Sequence, residues 1–65
     1  MTLTELAARV DALATDMEDT AVDMEVLSPL DGELHEHSLQ LLGAANIARG
    51  WANGIRELNE QRNEP

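Results

Sequence analysis

The sequence predicts an all-α fold, a two-helix antiparallel hairpin that pairs with a second copy into a four-helix bundle. Three observations predict it. Leu, Ala, Glu and Asp dominate a chain with one Trp and neither Tyr nor Phe, a composition suited to helices and poor for strands. Leu3, Leu6, Val10, Leu13, Met17, Thr20, Met24 and Leu27 follow one another at alternating spacings of three and four, the heptad pattern of a packed helix. A second periodic stretch begins beyond a break marked by Pro29, Asp31 and Gly32.

The first helix is expected over about 3–27. Thr2 followed by Glu5 fits a capping box, in which both side chains satisfy amides left unpaired by the first turn. Thr20 alone interrupts the apolar seam. Ala7, Ala14 and Ala21 recur every seven residues beside it, small enough to let an antiparallel neighbour approach closely. The turn is expected at 28–32, because Pro29 disfavours helical geometry at Ser28 and cannot donate the next helical hydrogen bond. Asp31 is the favoured cap of the second helix.

That helix is expected over about 33–62, with Asn63, Glu64 and Pro65 fraying. At 100° per residue, Leu34, Leu41, Ala45, Ala48, Ala52 and Ile55 form a central stripe, which Ala44, Ile47, Trp51 and Leu58 widen to roughly 160°. One partner helix does not need so wide an arc. A chain of about 60 residues buries only about 60% of its unfolded surface, and without cysteines it has no disulfide or thiolate-metal staple. Oligomerisation is the remaining common remedy. Leu34, His37, Leu41, Ile47, Trp51, Ile55 and Leu58 are therefore the expected core and dimer residues.

Thirteen acidic residues against four arginines give a formal charge of −9. Lysine is absent and Arg9, Arg49, Arg56 and Arg62 are dispersed, which excludes the basic patch that phosphate binding needs, so no direct nucleic-acid or membrane partner is expected. No run of about 18 apolar residues or basic leader is present, and a cytoplasmic location is expected. The first helix carries a local balance of −6; Glu5, Asp16, Asp19 and Asp23 cluster on one flank and Asp11, Glu18 and Glu25 on another. Such rows keep a protein soluble, steer it towards a basic surface, or imitate phosphates.

Gly43, Gly50 and Gly54 each cost a helix interior about 1 kcal/mol relative to Ala. They project away from the central stripe, beside Leu39, Leu42, Asn46 and Asn53, and this uncharged face is the candidate partner-binding surface. His35 and His37 diverge by about 200° on a helix and cannot chelate one ion. With no plausible nucleophile, phosphate-cradling loop or metal set, neither catalysis nor a cofactor is expected. The expected function is that of a small acidic regulator or adaptor, a homodimer that binds and modulates a protein partner, in a setting such as a phage or mobile element. The alternatives are a nucleic-acid mimic that blocks a DNA- or RNA-binding or defence protein, and a structural oligomerisation module.

Overall fold

A computed structural model of the chain describes residues 1–63 and consists of two long helices folded back on one another. The first, α1, spans Leu3–Leu27. A single 3-10 turn over Ser28–Leu30 follows. The second, α2, spans Glu33–Asn63 and runs unbroken through Gly43, Gly50 and Gly54. Asn63 is thus helical, where fraying was expected; Glu64 and Pro65 lie outside the described residues. No described helix is long and apolar enough to cross a membrane.

The helix ends follow from local chemistry. The Thr2 hydroxyl accepts from the Glu5 amide at 3.1 Å and donates to the Glu5 carboxylate at 3.2 Å. The reciprocal half of the expected capping box therefore runs through the hydroxyl and not through the Thr2 amide. At the other end, the Ser28 backbone amide donates to the Glu25 carbonyl, and the Ser28 hydroxyl donates to the same oxygen at 2.8 Å. Pro29 occupies the start of the 3-10 turn. Asp31 is extended, and its carboxylate accepts from the Glu33 amide at 3.0 Å, capping α2.

Between the helices runs a seam of small side chains. Ala7, Ala14 and Ala21 of α1 and Ser38, Ala45, Ala48 and Ala52 of α2 are buried. Leu3, Val10, Met17 and Met24, with Leu34, Leu41 and Ile55 opposite, are half-buried along its margins. Burying one methyl group stabilises by about 0.8 kcal/mol, against about 1.5–3 kcal/mol for a whole Leu or Ile side chain. A seam built on alanine allows close packing but gives the hairpin a modest hydrophobic drive. Among the described residues, Ser38 carries the only buried hydroxyl, and its Oγ has no hydrogen-bond partner.

This arrangement divides the α1 heptad pattern. Leu3, Val10, Met17 and Met24 flank the seam, whereas Leu6, Leu13, Thr20 and Leu27, expected in the same seam, are exposed. The physical reason is the alanine row: with Ala7, Ala14 and Ala21 turned towards α2, the positions preceding each of them rotate outward.

Candidate interaction surface

The two edges of the hairpin differ in chemistry. On one edge, Thr4, Asp11, Glu18 and Glu25 recur every seven residues, and each engages α2. Thr4 accepts from Asn59 at 3.1 Å. Asp11 pairs with Arg56 and, at 3.8 Å, with Arg49. Glu18 pairs with Arg49, which also donates to Thr15 at 3.1 Å. Glu25 contacts His35 beside the turn. The hydrogen bond to Glu18 raises the Arg49 pKa above its ordinary value, outweighing partial desolvation, and the charges of Glu18 and Asp11 act in the same direction. Partly exposed pairs of this kind contribute little stability. Their value lies in register: Asp11 with Arg56 and Glu18 with Arg49 step seven residues in opposite directions and fix the antiparallel alignment.

The opposite edge is apolar. On α1 the row Leu6, Leu13, Thr20 and Leu27 lies across the seam from Asp11 and Glu18; on α2 the row His37, Ala44, Trp51 and Leu58 lies across it from Arg49 and Arg56, with Ile47 alongside. Leu13 is 56% exposed, Ile47 57%, Trp51 64% and Leu58 45%. From His37 to Ile55, α2 has one charged side chain, Arg49, and it belongs to the polar edge. While Val22, Val26, Leu30, Leu39 and Leu42 are exposed elsewhere, Trp51, the largest side chain of the molecule, shares with Leu13, Ile47 and Leu58 an edge that the hairpin itself does not cover. Beside it, Leu6, Arg9, Val10, Ala12, Leu13 and Asp16 line an open groove along α1.

The residues singled out from sequence are spread over several surfaces. Leu34, Leu41 and Ile55 border the seam, while His37, Ile47, Trp51 and Leu58 are exposed within the hairpin and belong to the apolar edge. Leu39, Gly43, Asn46, Gly50, Asn53 and Gly54 lie on the outside of α2. A methyl group added at any of the three glycines would meet nothing within 4 Å. Leu42 is separated from that set: it shares the row of Arg49 and Arg56 on the polar edge. Asn53 accepts from Arg56 at 3.4 Å. Glu5, Asp16, Asp19 and Asp23 are exposed, and among the described residues none of the four carries an ion pair.

Sequence reasoning missed Leu6, Leu13 and Leu27 as surface residues, although the competing alanine heptad was the signal for it. It also read Asp11, Glu18 and Glu25 as an outward acidic row, whereas they pair with α2 across the seam. The matching seven-residue spacing of Arg49 and Arg56 could have found their partners. Among the described residues, no group of three His, Asp or Glu side chains is placed to hold a metal ion. Family models, curated proteins and solved structures were each compared with the chain, and none matches it.

Proposed function

We propose that the chain is a small, acidic, non-enzymatic regulator or adaptor that works by binding protein surfaces, and that two copies join through their apolar edges into a four-helix bundle. The uncovered row of Leu6, Leu13, Ile47, Trp51 and Leu58 carries this reading, because monomeric proteins rarely leave large contiguous apolar surfaces in water. Shape and area agree with it. The radius of gyration is 15.3 Å, against about 11 Å for a compact domain of this length. The accessible surface is 4759 Å², against about 4,100 Å² for a folded monomer of 7.1 kDa. The excess approaches the roughly 800 Å² that each partner buries in a standard interface.

Within such a dimer, the outside of α2 with Leu39, Asn46 and Asn53 remains available to a target, and the outward Glu5, Asp16, Asp19 and Asp23 favour one with a basic surface. The absence of an ion pair on those four carboxylates among the described residues also supports a second reading, a nucleic-acid mimic. Salt separates the two: mimicry collapses between 50 and 300 mM salt, whereas docking through Leu39 is lost in Leu39→Asp.

Sedimentation equilibrium tests the dimer directly. The parent chain is expected near 14 kDa at tens of micromolar, twice its 7.1 kDa, with Leu13→Asp and Trp51→Glu each shifted to the monomer while staying helical by circular dichroism. A parent that sediments as a monomer at these concentrations removes the reading.

A further inference from the structure

Resting on that dimer, we infer which helix meets which: each α1 packs against the partner's α2, with the two-fold axis running along the bundle, and the two acidic helices occupy diagonal corners. Two apolar edges can be brought face to face by a two-fold axis in two ways. An axis across the helices stacks α1 on the partner's α1 and α2 on the partner's α2, both antiparallel. An axis along the helices places each α1 over the partner's α2.

Charge decides between them. Residues 3–27 carry seven carboxylates and Arg9, a balance of −6, whereas α2 carries Glu33, Glu36, Glu57 and Glu60 against Arg49, Arg56 and Arg62, a balance of −1. Neighbouring helices in a bundle lie about 8–10 Å apart, so the first arrangement holds two −6 helices about one Debye length from each other. In the second arrangement they stand about 14 Å apart across the core, and each faces the nearly uncharged middle of the partner's α2. Asp16 sharpens the contrast. It borders the apolar edge beside Leu13 near the midpoint of α1, so the first arrangement sets it opposite its own copy. The second sets it opposite the level of Ile47 and Gly50.

Register supports the same choice. The polar-edge pairs align the helices so that Leu6 lies level with Leu58, Leu13 with Trp51, Thr20 with Ala44 and Leu27 with His37, to within about a turn. An axis along the bundle keeps every residue at its own level. Each layer of the core then repeats one such pair twice, and the bulky Leu13 and Trp51 layer stacks on the small Thr20 and Ala44 layer.

Spin labels test this in a chain that has no cysteine of its own. Ala8→Cys, Ala12→Cys and Asp19→Cys place a label at three exposed positions along the outer side of α1. Diagonal packing gives the same label-to-label separation at all three, within a few ångströms. Antiparallel stacking of α1 on α1 displaces the Ala8 labels by about 20 Å along the axis, against about 10 Å for Asp19, from a rise of 1.5 Å per residue. A second readout is a disulfide between Thr20→Cys and Ala44→Cys chains mixed as single variants, expected in place of one between Ala44→Cys and Trp51→Cys chains. A dimer whose Ala8 separation clearly exceeds that at Asp19, or that forms the Ala44 to Trp51 disulfide, overturns the inference and leaves self-association intact. A monomer by sedimentation overturns both.

Discussion

Ser38 shows how a single atom can work against a fold. Its side chain is fully buried in a row otherwise filled by alanine, and its Oγ has surrendered water without gaining a partner. A buried hydroxyl left unsatisfied costs about 1–3 kcal/mol. Ser38→Ala removes that cost and leaves a methyl group like those of Ala45 and Ala52. The variant is expected to be more stable by about 1 kcal/mol in urea unfolding followed by circular dichroism; an equal or lower midpoint would mean that the hydroxyl is satisfied in solution. The sequence analysis passed over this position, although its seven-residue spacing from Ala45 and Ala52 on the central stripe was the signal for it; the missing partner of its hydroxyl depends on tertiary packing and was not legible. Thr2, Pro29 and Asp31 were legible, because caps and breaks depend on the backbone chemistry of a few neighbouring residues and not on tertiary packing.

At the level of the helices, the periodic pattern identified both elements and the turn but misjudged the facing. Two heptad series compete on α1, one of leucines and one of alanines, and a hydropathy argument favours the larger side chains. Close approach favours the smaller ones, and the alanines face α2. The three glycines of α2 pose the converse case. Nothing touches them in the hairpin, so Gly50→Ala is expected to raise stability by about 0.5–1 kcal/mol through helix propensity alone, seen as a higher thermal midpoint. If the outer face of α2 docks a target closely, the same substitution weakens that complex. Measuring the melting curve and target capture of one variant therefore separates tolerance from use.

For the molecule as a whole, each copy carries −9, so self-association brings together like charges and is opposed at long range. Raising salt from 20 to 300 mM is expected to tighten the dimer by roughly three- to tenfold in analytical ultracentrifugation, as screening relieves that repulsion. Weakening with salt would point to ion pairs across the contact, for which Arg9 and Asp16 beside the apolar edge are the available groups. The overall hairpin was legible because two strong periodic segments joined by a short break leave few topologies. The proposed role was not legible to the level of a partner, since exposed carboxylates and glycines are compatible with several.

The zipped row from Thr4 to Glu25 has a further consequence for growth. A slender rod that was greasy on both flanks could add neighbours indefinitely and would build ribbons or fibres. Here the opposite flank has already spent Arg49 and Arg56 on its own carboxylates, so a rod joined to one mate by its apolar edge would turn a polar edge outward. In the proposed dimer that ionic stitching, weak as each stitch is, would act as a terminator of polymerisation and favour a closed pair over a filament.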